Sequence, residues 1–400
     1  MKPFVFSALL SISFAMLSAA PLKVYILSGQ SNMEGHAKIS SFDHLAMDPK
    51  TVPILEAMRN KDGSSKVFEN IRISYRTGKE DQQPGVGPLT SGFGARSNPT
   101  EDGGKIGPEF TFGIYTEQLV EEPILLIKTA WGGKSLHTDF RPPSAGAFQF
   151  REEQIEQFKK QGKDLNELRA QKSAATGKYY QLMIDHIKSV LENPREVHPA
   201  YHSEEGYELA GFVWFQGWND MVARDVYPNR DQPGGYDDYS KLLSLFIRDV
   251  RKDLSAPQMP FVIGVMGAGG PTSAYQGGQK RYQKVHENFR QAMAAPAKLP
   301  EFRKNVAAVF TEKYWDPELD QVAEKKNLIN QKRNEMKSKG FSKQEIEQEI
   351  LDFSQKILTS RDHELLKGIT NADYHYKGSA KIMAQIGKAF AEALHSLRTR

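Results

Sequence analysis

Six short runs of apolar and β-branched residues recur along the chain, at 22–27, 71–75, 123–130, 209–215, 260–266 and 305–311. Stretches with helical spacing of apolar residues separate most of them, among them 113–120, 179–192 and 239–254. A strand that is apolar at nearly every position has to be covered on both faces, and helices between such strands supply the cover. The pattern therefore predicts an α/β domain of three layers, α/β/α, around a parallel sheet. A last stretch, 379–397, carries Ile382, Met383, Ile386, Phe390 and Leu394 at helical spacing and should pack on that sheet to close the domain.

Two charged stretches interrupt the alternation, 150–178 and 317–366. The second has only a thin apolar stripe of Leu328, Ile329, Ile346, Ile350 and Phe353, and it reads as a helical hairpin broken at Gly340 with Ser342 as a cap. Both stretches are expected to be helical insertions, 317–366 a solvated hairpin or, alternatively, a lid or subunit contact. On this reading 21–316 and 367–400 together form the main domain.

At the amino end, Met1-Lys2, the apolar run from Phe4 to Leu17 and Ser18-Ala19-Ala20 match the three regions of a secretory signal over 1–20. Roughly 14 apolar residues are too few to span a bilayer comfortably, and no second such run follows, so the mature chain is expected to have no membrane span. The expected location is secreted or periplasmic. With 0 cysteines the chain has no disulfide, thiolate nucleophile or cysteine metal site. A net charge of +4 from 53 basic and 49 acidic residues gives no field that would recruit nucleic acid.

The first strand ends unusually, in Ser28-Gly29-Gln30-Ser31-Asn32 and then Met33-Glu34-Gly35. In a parallel sheet, ligands and reacting groups collect beyond the carboxyl ends of the strands. Ser31 stands there, where a following helix would aim free N–H groups at its oxygen, and Gly29 allows a sharp turn. A serine in this position is also an ordinary helix cap, and Met33 stands where G-x-S-x-G needs its second glycine. Three further loops supply small residues and amides at strand ends or helix starts: "KIGPEFTFG" with Gly107, "IKTAWGGKSL" and "VWFQGWND" with Gln216. The N–H groups of Ser31 and Gly107 and the amide of Gln216 are candidate oxyanion donors. His375 lies in "NADYHYKGSAKI", just before the final helix.

Taken in order, "GQSNM", "GPEFTFG", "IKTAWGGKSL", "WFQGWND" and "YHYKGSA" resemble the blocks of the sialate O-acetylesterase and acetyl xylan esterase group of the SGNH (GDSL-like) hydrolases. The resemblance spans most of 22–312 together with 368–395, and it implies a flavodoxin-like SGNH hydrolase fold with helical insertions. It further implies a serine carboxylic-ester hydrolase that attacks acetyl esters on glycans with Ser31, uses His375 as base, and forms its oxyanion hole from Ser31, Gly107 and Gln216. The acid departs from the family pattern, since Ala372 and Trp218 stand where members carry Asp or Glu. Asp373 and Asp220 are the remaining candidates to orient the imidazole. Gln30, Asn32, Trp131, Asp139, Arg141 and Trp218 are expected to contact the acetylated glycan. No His, Asp or Glu spacing suggests a metal site, and a serine hydrolase needs no cofactor. Alternatives are a catalytically impaired carbohydrate-binding protein on the same fold, which the two missing acids motivate, and a general arylesterase or lipase of the wider group.

Overall fold

The computed structural model describes residues 20–79, 82–99 and 104–399, so the expected signal at 1–20 lies outside the described residues apart from Ala20. The central sheet has seven strands among the described residues: β1 (Leu22–Gly29), β2 (Phe68–Arg76), β3 (Gly85–Leu89), β4 (Ile124–Ala130), β5 (Tyr207–Phe215), β6 (Phe261–Val265) and β7 (Val306–Phe310). They lie in the order β3-β2-β4-β1-β5-β6-β7. Every neighbouring pair is parallel except β2 with β3.

All six expected strands are present, and the reason is visible in β1, whose eight residues are all buried. Tyr25 and Leu27 enter the core on one face, while Val24 and Ile26 enter the core on the other. Helices Glu109–Glu117 and Ala380–Arg398 cover the first face, and Lys178–Glu192, Asp237–Asp253 and Gln283–Ala294 cover the second. The strand that sequence reasoning missed, β3, reads Gly-Val-Gly-Pro-Leu. It is an antiparallel edge strand, where proline is tolerated because one side of the backbone needs no partner.

Without the β2–β3 hairpin, the remaining strands β4-β1-β5-β6-β7 run in the order 2-1-3-4-5, the flavodoxin-like arrangement. Strand order reverses between β1 and β5, and this switch point opens a crevice at their carboxyl ends. Ser31 follows β1 and Trp218 follows β5, so the topology alone brings "GQSNM" and "WFQGWND" to one place.

The first charged stretch forms helices Glu152–Lys160 and Leu165–Ala175. The second forms Pro317–Ser338, Lys343–Ile357 and Ser360–Leu366, with the break at Gly340 and a capping box between Ser342 and Glu345. Ile329, Met336, Ile346 and Ile350 make a small core of their own. The root of this excursion differs from the expected boundary: Leu319, Val322 and Leu365 are buried in the main core. Above them Lys325 Nζ meets Asp362 Oδ2 at 2.6 Å, where the outgoing and returning helices come together. Among the described residues no helix is long and apolar enough to cross a membrane.

Candidate active site

Gly29 ends β1 against β5 so closely that a Cβ there would lie 2.1 Å from the carbonyl oxygen of Phe215. The next residue fastens the two strand ends together. Gln30 Oε1 accepts from Gly217 N–H at 3.0 Å and from Gln216 Nε2 at 3.2 Å, and Gln30 Nε2 donates to Asn219 Oδ1 at 2.9 Å. Ser31 then opens the one-turn helix Ser31–Glu34 and is 8% exposed, on the wall of a cleft of about 710 Å³. The first amides of a helix have no partner inside it. Gly35 turns the chain away at φ +89°, with its α-carbon face packed directly on Gly107.

His375 lines the same cleft from the far end of the chain. Its Nδ1 lies 2.9 Å from Asn371 Oδ1. An amide oxygen only accepts, so Nδ1 carries the hydrogen and Nε2 is left as the acceptor. The ring stacks on His36 at 3.8 Å between centroids and 4° between planes. Burial lowers His375 to about 4, and burial together with the neighbouring His375 lowers His36 to about 3. Both imidazoles are therefore neutral at pH 7.

The loop that presents His375 carries a strained backbone. Tyr376 and Lys377 are consecutive non-glycine residues at φ 51° and 58°, a conformation that costs of order 1–3 kcal/mol each. The surroundings impose it. Tyr376 Oη accepts from Gly267 N–H at 2.7 Å and bonds Thr311 Oγ1 at 2.6 Å, while Lys377 Nζ, buried, meets Asp373 at 2.8 Å and Asp320 at 3.0 Å. Asn32 Nδ2 donates to Tyr374 O at 3.1 Å and so ties the serine turn to the histidine loop.

Several residues singled out by sequence stand elsewhere or do something else. Asp373 pairs with Lys377, and His375 bonds Asn371 in its place. Asp220 is fully buried and collects hydrogen bonds from the N–H groups of Leu136 and His137, His137 Nδ1, Gln216 Nε2 and Tyr227 Oη. Burial raises this carboxyl, but His137 and the donors around it hold it below the usual carboxylate range. It clamps the loop after β4 onto the end of β5. Gln216 Nε2 is occupied by Asp220, Gln30 and Lys134 O, and Gly107 N–H donates to Glu109 Oε1 at 2.8 Å, so neither is aimed into the cleft as an oxyanion donor. Asn32 lies beneath the cleft as a brace, Asp139 accepts from Ser135, and Arg141 donates to Gly146 O, His137 O and Ala145 O. Trp131 and Trp218 do line the cleft, with Trp218 beside Tyr374 at 5.5 Å.

Sequence reasoning missed Asn371, His36, Glu34, Asn219 and Arg96, all but Asn371 part of the cleft wall. Asn219 was the most accessible of them, because it follows Gly217-Trp218 at a strand end beside the residue taken for an acid. Its Oδ1 is held by Gln30, which leaves the NH₂ group as a donor. Glu34 accepts from Thr77 Oγ1 at 2.7 Å, and burial raises its carboxyl above the ordinary value. Below it Lys128, fully buried, donates to Glu34 O, Phe93 O and Glu109 Oε2 at 2.9, 2.8 and 2.7 Å. Burial presses Lys128 down and Glu109 up, yet three acceptors around one Nζ match the three hydrogens of an ammonium. This ion pair braces the floor of the serine turn.

A serine and a neutral imidazole facing one cleft at the switch point of a parallel sheet are the components of a serine hydrolase site, and comparison with known proteins gives the class. The model of the family described as carbohydrate esterase, sialic acid-specific acetylesterase matches residues 21–313. The chain belongs to this family and is a carbohydrate acetylesterase. The match takes in Ser31 and Asn219 and ends before the 317–366 excursion and His375. Among solved structures the chain is similar to a protein of Arabidopsis thaliana, at 17% identity and TM-score 0.40 over 73% of this chain and 86% of that one. It is also similar to a carbohydrate acetylesterase from Xanthomonas citri, at 16% and 0.37 over 72% and 49%, and to NanS, at 14% and 0.38 over 74% and 78%. No curated protein sequence matches it significantly.

Proposed function

We propose that the protein is exported and hydrolyses acetyl esters on glycans through an acetyl-serine intermediate. Ser31 Oγ attacks the ester carbonyl carbon, and His375 Nε2 takes the hydroxyl proton and passes it to the departing sugar oxygen. Water then attacks the acetyl-enzyme with His375 again as base, releasing acetate and regenerating Ser31. Asn371 holds the imidazole tautomer that an aspartate holds in other serine hydrolases, which removes the need for an acid at 372 or 218. The Ser31 N–H and the Asn219 NH₂ group are the donors for the developing oxyanion. Trp218 offers a flat wall to the sugar, the edge of the buried Trp131 adds to the floor, and Arg96, exposed at the rim, is the guanidinium placed to meet an anionic sugar such as a sialic acid.

The observation that carries this reading is the 2.9 Å contact of His375 Nδ1 with Asn371 in a cleft shared with Ser31, because it leaves the other ring nitrogen free to act as base. Purified protein should release p-nitrophenol from p-nitrophenyl acetate and show a transient acetyl adduct on Ser31 by mass spectrometry. Ser31→Ala should abolish both. Retention of turnover in that variant would overturn the assignment.

A further inference from the structure

The cleft does not end at the reacting groups. Gly133 and Asn219, which line it with Ser31, also line an adjoining chamber of about 460 Å³ that is widely open to solvent. The chamber's inner side comes from the loop after β4, with His137 and Asp139, and its outer side comes from the charged excursion 150–178, with Phe150, Phe158 and Lys172. Phe158 sits on helix Glu152–Lys160, whose only buried residue is Gln154. A helix with so little to bury has no core of its own for a large ring. Phe158 instead packs edge-on to Phe150 at 5.3 Å and 85°, with Lys163 Nζ over its ring at 5.3 Å from the centroid, and both rings stay partly exposed at the chamber wall.

The polar groups opposite are fixed by contacts that leave one side of each unused. Asp139 Oδ2 accepts from Ser135 N–H and Oγ at 2.8 Å, while among the described residues its Oδ1 has only Lys134 Nζ, at 3.8 Å. His137 Nδ1 is committed to the buried Asp220 at 2.9 Å, which leaves Nε2 on the open edge of the ring. Flat apolar faces set against a few fixed acceptors and donors, in a pocket of this size, are the chemistry that holds a sugar ring. Lys172 lies in the field of Asp225, Asp139 and Asp220, and Asp139 has Lys134 beside it, so charge on this wall is balanced and the ring that fits is neutral.

We infer that this chamber is a second sugar subsite, taking the ring joined glycosidically to the acetylated one and stacking it on Phe158. The inference rests on the esterase reading above and extends it: the substrate class is a glycan of two or more rings rather than a free acetylated monosaccharide. The 150–178 excursion then acts in specificity, and Phe158 is a specificity-determining residue with no part in bond breaking.

The test compares chemically acetylated monomer and chain in two pairs, xylose with xylotetraose and N-acetylneuraminic acid with sialyllactose, using p-nitrophenyl acetate as the common control. In at least one pair kcat/KM should be about tenfold higher on the chain, the size one good contact supplies. Phe158→Ala should erase that advantage while leaving p-nitrophenyl acetate turnover unchanged, and Phe158→Tyr, which keeps the ring, should retain it. A chain no better than its monomer in both pairs, or an advantage that survives Phe158→Ala, would overturn the subsite. Unchanged p-nitrophenyl acetate turnover in Ser31→Ala would strike the esterase reading itself, so the two failures are separable.

Discussion

A general base has to be unprotonated when it is needed, and for His375, proposed in that role, burial in the cleft beside the likewise buried His36 secures this. The free-enzyme profile of kcat/KM for p-nitrophenyl acetate should therefore rise with pH through a midpoint near 4 and be flat across neutrality. A midpoint near the ordinary histidine value of about 6.5 would show that burial does not govern the base. The orienting role assigned to Asn371 separates it from both aspartates. Asn371→Ala should lower kcat by about 10²- to 10⁴-fold with the fold intact, and Asn371→Asp should recover most of the loss. Asp373→Asn should stay within a few-fold of wild type, since that side chain is largely exposed and serves Lys377. Equal losses from Asn371→Ala and Asp373→Asn would refute the assignment. The identity of this residue was hidden in the sequence because the family pattern directs attention to carboxylates. An amide oxygen holds an imidazole N–H just as well, carries no charge, and sits four positions before the base rather than three.

Among the elements, the excursion 317–366 has two parts with different attachments. Its root carries Leu319, Val322 and Leu365 into the main core and offers Asp320 to Lys377, whereas its tip packs chiefly on itself. Replacing residues 331–356 by a short Gly/Ser linker should leave a soluble protein that unfolds cooperatively and keeps its p-nitrophenyl acetate activity, because Lys325 and Asp362 already bring the two helices together. Extending the deletion to 318–365 should instead cost folding and slacken the histidine loop. Circular dichroism melts of the two deletions, with turnover measured alongside, decide this. The strands and the hairpin break at Gly340 were legible because periodicity and capping are local signals. The root was not, since a few apolar residues at the foot of a charged helix look like the rest of its thin stripe until the sheet is in place beneath them. The edge strand β3 was equally hidden, as glycine and proline suppress the alternation that marks a strand.

For the molecule as a whole, burial lowers six histidines, His44 and His198 among them, and pushes four far down: His36 to about 3, and His186, His286 and His375 to about 4. Each is freed to protonate near its ordinary value of about 6.5 when the chain unfolds. Between those limits the unfolded state binds more protons, so stability is fully present above about pH 6.5 and falls as pH drops toward 4. The thermal midpoint should be level from pH 8 to 7 and lower at pH 5.5 and again at 4.5; an unchanged midpoint down to 4.5 would contradict the burial of these rings. A different consequence follows from the bond between Asn32 and Tyr374, which joins positions 342 residues apart and seats the serine turn beside the histidine loop. Ser31 leaves the first strand of the sheet, whereas the loop of His375 leads directly into the helix Ala380–Arg398. That closing helix, buried along one side in the core, fixes the loop in place. Under the proposed mechanism, hydrolytic competence thus requires these two distant segments to meet, and a partly folded form in which the closing helix is undocked should be inactive.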